Sequence, residues 1–213
     1  MSAAPNYAPR ISTPSGAMHL FVAIALFLAL AARGAEVEPY ATSIASLIAP
    51  TNLATLGARG ANPRIQKSVY WLATSRQAGC KPPVVAQRAV VLAGYTNSQA
   101  AQLTWAALLR NLDIATKLGC LDGAGEVEMR RGHAPTVQNG PYKGQALSVD
   151  HIVPRAVAPE LDNVIANLEL LPLKANESKN AKIGARQLDL AKKLRGAGLL
   201  SQKGFNAVNA KLK

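Results

Sequence analysis

Between Leu147 and Ile183 two short apolar runs, each ended by a proline, are followed by a polar stretch, and that pattern leaves few folds open. The first run, Ser148-Val149-Asp150-His151-Ile152-Val153-Pro154, is rich in β-branched residues and predicts a strand that stops at Pro154. Neighbouring strand residues point to opposite faces, so Asp150 and His151 project apart, or sit at the strand's end where it turns. The second run, Asn167-Leu168-Glu169-Leu170-Leu171-Pro172, predicts another short strand, and Lys174 to Lys182 reads as the start of a helix. The order is strand, loop, strand, helix.

The chemistry of these side chains suits phosphodiester hydrolysis. That reaction needs a water stripped of its proton, a cation against the charge that builds on the phosphate, and stabilisation of the leaving oxygen. His151 suits the first task, because an imidazole can accept a proton at neutral pH. Asp150 and the amide oxygen of Asn176 suit the second. Both are hard oxygen donors, which favour Mg²⁺ or Mn²⁺ over the metals that thiolates select. Asn180 lies four residues after Asn176, on the same face of a helix, and is a secondary candidate ligand.

This stretch resembles the HNH endonuclease family, the ββα-metal nucleases. The family pattern is an Asp-His pair at the end of the first strand, an Asn-Leu pair opening the second, and an Asn or His in the following helix, often followed by lysine. Asp150-His151, Asn167-Leu168 and Asn176 with Lys179 stand in those places in that order. The resemblance implies an exported, bacterial-type member of α+β class, with a ββα-metal nuclease unit and catalytic roles for His151 and Asn167. It gives Asn167 the task of bridging the loop through backbone hydrogen bonds and holding the base in place, with Asn163 as the competing residue. The implied ligands are Asp150, Asn176 and, in some members only, the position of Asn180. The implied metal is Mg²⁺, with Mn²⁺, Ni²⁺ or Zn²⁺ as alternatives. Taken singly, an Asp-His pair occurs by chance and an Asn early in a helix is more often a cap; the ordered combination is what is specific. Many family members also carry two Cys pairs as a structural zinc site, and this chain lacks them.

Charge points the same way. The 24 Lys and Arg against 12 Asp and Glu give a formal +12, which favours a polyanion, and the 5% of aromatic residues leave little for base stacking. Arg130 and Arg131 are candidate phosphate contacts, or else a solvated basic turn. Lys179 and Lys182 join them in the polar helix, and the expected partner is double-stranded DNA.

Leu20 to Ala32 reads LFVAIALFLALAA, shorter than the roughly 20 residues a spanning helix needs. With Ala29-Leu30-Ala31 as an A-x-A site, residues 1–35 predict a secretory signal peptide, or alternatively a membrane anchor at 20–32. Met18 is an alternative start. Export to the periplasm or beyond would let the only cysteines, Cys80 and Cys120, form one disulfide.

The remaining organisation is read from periodicity and punctuation. Residues 36–61, rich in Ala, Ser and Thr with Pro39, Pro50, Gly57 and Gly60, read as a linker. A helical region over 62–120 begins at Asn62-Pro63 with an apolar face of Ile65, Val69, Leu72 and Ala73, and it continues as Val84 to Ala93. A third helix, capped at Asn97 or Ser98, carries Ala101, Trp105, Leu108, Leu112 and Ala115 as core. Gly119 to Gly125 reads as the boundary before a nuclease domain over 126–213. There Glu126-Val127-Glu128-Met129 alternates like a strand, and amphipathic helices follow Ile183 and Ser201. The expected function is metal-dependent DNA endonuclease activity of low sequence specificity. The alternatives are RNA as substrate, a non-cleaving nucleic-acid-binding protein with the same fold, and a membrane-anchored protein whose charge serves anionic lipid.

Overall fold

The helices begin and end where the sequence punctuates them. The Asn97 side chain accepts from the N–H groups of Gln99 and Ala100, capping a helix that starts at Ser98. Gly79 and Gly119 end two helices in the left-handed region, at φ 87° and 67°. In each case the next residue reaches back, Cys80 N–H to Ser75 O and Cys120 N–H to Ala115 O, both at 2.9 Å.

The computed structural model describes residues 36–179 and 182–212; the leader-like segment 1–35 and Asn180 lie outside them. Residues 36–48 are helical and form α1. There follow α2 (Pro50–Ala54), α3 (Asn62–Gln77), α4 (Pro82–Leu92), α5 (Ser98–Lys117) and α6 (Gly123–Arg131). Then come β1 (Leu147–His151), β2 (Leu168–Pro172), α7 (Leu173–Ser178), α8 (Ala185–Gly196) and α9 (Gln202–Ala210). The class is α+β: helices around one two-stranded antiparallel sheet. Among the described residues no helix is long and apolar enough to cross a membrane.

Four expectations are corrected. Residues 36–61 are no linker: Ala41, Ile44 and Ile48 recur every three or four residues, and all three are fully buried. The Glu126–Met129 strand is instead helix α6, which Asp122 starts by accepting from Gly125 N–H at 2.6 Å. Met129 is its buried anchor, and Arg130 and Arg131 stand in its last turn, where their charge complements the helix dipole. Gly119 to Gly125 divides no cores either, since Ile44, Leu72 and Leu108 share one apolar cluster with Leu147, Leu168 and Leu170. Cys80 and Cys120 are both free thiols, and Cys120 is buried.

A two-stranded sheet is marginal without support, and here buried amides from the helices supply it. The strands pair with Asp150 opposite Glu169 and His151 opposite Leu168. On the outer edge of β2, Asn111 of α5 behaves like a third strand: Nδ2 donates to Leu168 O at 3.0 Å and Oδ1 accepts from Leu170 N–H at 2.6 Å. On the other side Gln66 of α3 donates to Leu147 O at 3.1 Å. Each group would otherwise be a buried, unpaired backbone atom. A second apolar cluster, with Val153, Leu161 and Ala166 against Leu194 and Val208, seats α8 and α9 under the loop that joins the strands.

Candidate active site

The loop from Ile152 to Asn167 leaves β1 and returns to β2, and one side chain closes it. Asn167, fully buried, accepts from Val153 N–H through Oδ1 at 2.8 Å and donates to Val153 O at 3.0 Å. Its own carbonyl accepts from Ile152 N–H at 2.8 Å. Asn163 ties the same loop to a different place: its Oδ1 accepts from Ala61 N–H at 3.0 Å, and Nδ2 donates to Leu56 O and Gly57 O. Of the two asparagines it is Asn167 that spans the base of the loop next to His151.

His151 ends β1 and is only 8% exposed. Its Nε2 lies 2.9 Å from the main-chain carbonyl oxygen of Asp162 and 3.0 Å from Asp162 Oδ1. A carbonyl oxygen can only accept, so Nε2 carries the hydrogen and the neutral ring keeps its lone pair on Nδ1. Asp162 is held in turn: its Oδ2 accepts from Arg59 N–H at 3.0 Å and stands 3.5 Å from the Arg155 guanidinium.

Asp150 and Glu169 are directly opposed across the sheet, a pairing of like charges that needs cations beside it. Lys179 supplies the first, its ammonium bonded to Asp150 Oδ2 and to His151 O, the latter at 3.0 Å, and lying 3.9 Å from Glu169 Oε1. Arg186 grips Glu169 with two parallel bonds, which raise the guanidinium above its ordinary pKa. Arg110 lies deeper and donates to Leu168 O; burial pushes its pKa down, and the Glu169 charge partly restores it.

Asn176 in α7 donates through Nδ2 to Ser148 Oγ at 3.1 Å, and Ser148 Oγ donates to Leu171 O. Ser148 and Asp150 are two apart on β1, hence on one face, and Asn176 and Lys179 are one helical turn apart. Each helix residue therefore stands over one strand residue. The side-chain oxygen Oδ1 of Asn176 is left without a hydrogen bond among the described residues, while its main-chain carbonyl accepts from Lys179 N–H. A carboxylate on which an ammonium already sits, beside an amide oxygen, is a donor set that fits a small hard cation. Among the described residues no three His, Cys, Asp or Glu side chains converge as a metal site; the set here is of a different kind, with an amide as its second donor.

An open cleft of about 510 Å³ is lined by Asp150 and His151 and by Arg59, Pro154, Arg155 and Asp162; Asn176 and Lys179 are not among its lining residues. Arg130 and Arg131 are not among its lining residues; Arg131 pairs with Glu128 at 3.3 Å. The Lys179 ammonium is paired with Asp150. Lys182 is exposed. Sequence reasoning does not find Arg59, Arg155 or Asp162. An acidic residue just ahead of Asn167 hints at Asp162, but nothing local marks Arg59.

The chain matches no family model, no curated protein and no solved structure, so its functional reading rests on residue pattern and geometry.

Proposed function

We propose that the protein is a metal-dependent endonuclease of HNH type, cutting DNA phosphodiester bonds with low sequence specificity. The observation that carries this reading is the Asp162 carbonyl on His151 Nε2, which leaves Nδ1 as the ring's free nitrogen in a cleft that Asp150 also lines. In this reading Nδ1 takes the proton of the attacking water, while Nε2–H stays on Asp162 and stops the ring from turning. Asn167 holds the loop closed under the ring. Asp150 and the Asn176 oxygen would hold Mg²⁺, which supplies charge stabilisation at the phosphate and leaving oxygen when bound. With one carboxylate and one neutral amide, most of the shell is left to water and phosphate, as suits an ion that sheds water reluctantly. Export, directed by residues 1–35, belongs to the same proposal.

The second reading, a nucleic-acid-binding protein that does not cut, has the basic charge in its favour but no use for a base with a fixed tautomer beside a hard-cation site. Supercoiled plasmid incubated with the purified chain separates the two. Nicking in Mg²⁺ that EDTA abolishes supports the nuclease; retained plasmid with a mobility shift supports the binder. Replacing the plasmid by duplex and single-stranded RNA tests the substrate assignment.

A further inference from the structure

Arg59 belongs to none of the strand, loop or helix segments that carry the site, yet its side chain lines the cleft over His151 and Asp150. It reaches there from a turn between α2 and α3 that is locked onto the catalytic loop by four hydrogen bonds. Arg59 N–H donates to Asp162 Oδ2, Ala61 N–H to Asn163 Oδ1, and Asn163 Nδ2 to Leu56 O and Gly57 O, at 3.0 to 3.2 Å. Arg59 is also the one non-glycine residue at positive φ among the described residues, at 58°. A bulky side chain rarely takes that conformation, and glycine, present at Gly57 and Gly60 on either side, would take it without cost. The strained residue is thus an arginine, and it stands at the rim of the cleft.

Arg59 is exposed and makes no ion pair among the described residues. Arg155, also exposed, lines the same cleft, leans on Asp162 at 3.5 Å and has no other ion pair among the described residues. The other cations near the site are committed elsewhere: Lys179 to Asp150, Arg186 to Glu169, Arg110 to the backbone of β2. Of the cationic side chains named here, two remain to meet an anion entering over His151.

We infer that Arg59 and Arg155 form a phosphodiester clamp, in which the N-terminal helical region contributes half of the substrate-binding surface of the nuclease site. Planar guanidinium forks match the paired oxygens of a phosphate. A phosphodiester held by them would lie in the cleft that Asp150 and His151 also line. Asp162 is the pivot, since one side chain fixes the Arg59 backbone, touches Arg155 and faces the His151 ring. The inference rests on the nuclease reading for the identity of the anion.

The test is duplex oligonucleotide binding by the full chain in EDTA, followed by fluorescence anisotropy across a salt titration, where cleavage plays no part. Each duplex phosphate that a cationic side chain neutralises contributes about 0.9 to the steepness of log K against log salt. Arg59→Gly and Arg155→Gln are each expected to reduce the steepness by about that amount and the double variant by roughly twice as much, while Arg59→Lys keeps the wild-type slope. Because Arg59→Gly relieves the backbone, its Tm should equal or exceed that of the wild type, which distinguishes a missing phosphate partner from a damaged fold. Unchanged slopes and affinities in both variants overturn the clamp, and do so even if the wild type nicks plasmid in Mg²⁺. Arginine-dependent slopes in a chain that never nicks uphold the clamp and sink the nuclease reading instead. Binding of phosphatidylglycerol vesicles that depends on Arg59, with duplex binding untouched by its removal, overturns the assignment of the anion.

Discussion

Nε2 of His151 stands 2.9 Å from the main-chain carbonyl of Asp162 and 3.0 Å from its carboxylate, so a single loop residue meets the ring twice. The carbonyl fixes which ring nitrogen carries the hydrogen, and the carboxylate braces the same nitrogen from a second side. Asp162→Asn keeps the main-chain contact and removes the carboxylate charge. It should lower the single-turnover cleavage rate by roughly ten- to a hundredfold, the size such supporting partners typically carry. A wild-type rate would show that the carbonyl alone suffices.

The Lys179 ammonium on Asp150 occupies the place where a metal ion would find its charged ligand. A divalent ion has to displace it, so Lys179→Gln should lower the Mn²⁺ concentration needed for half-saturation, read without DNA by the electron-spin-resonance signal of free Mn²⁺. Asp150→Ala should abolish that binding. An unchanged Mn²⁺ titration in Asp150→Ala would place the metal elsewhere.

Asn111 is expected to matter for stability although it does not line the cleft. Asn111→Ala leaves Leu170 N–H and one lone pair of Leu168 O without their partner in the core, at a cost of about 1–3 kcal/mol for each buried group left unsatisfied. Urea unfolding followed by circular dichroism measures it, with a lower midpoint at unchanged m-value as the expected outcome.

Burial pushes the Cys120 thiol up, with the Asp122 charge adding to it, from 9.0 to about 11. The folded state therefore holds this proton longer than the unfolded state does. The resulting stability is whole below pH 9 and disappears as the pH climbs towards 11, by up to about 3 kcal/mol for a shift of this size. Urea midpoints of wild type and Cys120→Ala should converge over that range. Parallel curves would mean that the thiol does not titrate there. For the same reason, Cys80 should react with a thiol reagent well before Cys120 does.

How much of this is legible in the sequence depends on the separation between partners. The strand, loop, strand and helix of the site are local in sequence, and so is the Asn167 to Val153 bracket, which joins residues only fourteen apart. The long helices are equally open to reading, because Ile65, Val69 and Leu72, or Leu108, Leu112 and Ala115, repeat with the period of a helix. Helix α1 is hidden because alanine and serine dilute its Ala41, Ile44 and Ile48 stripe and Pro39 reads as a breaker. Helix α6 is hidden because four residues, Glu126 to Met129, alternate by chance, while its true markers, the Asp122 cap and Gly132, lie just outside them. The contacts of Asn111, Gln66 and Arg59 join residues 57 to 103 positions apart. No local pattern encodes them, since each is a product of how the helices dock.

The central claim is that His151, fixed through Nε2, is the base of a metal-dependent nuclease. It is tested most directly by single-turnover cleavage of supercoiled plasmid in Mg²⁺ by wild type and His151→Ala, with duplex binding in EDTA measured on the same samples. Cleavage in the variant is expected to be slower by about 10²–10⁴-fold with binding unchanged. Cleavage at the wild-type rate by His151→Ala, or no Mg²⁺-dependent cleavage by the wild type, would contradict it.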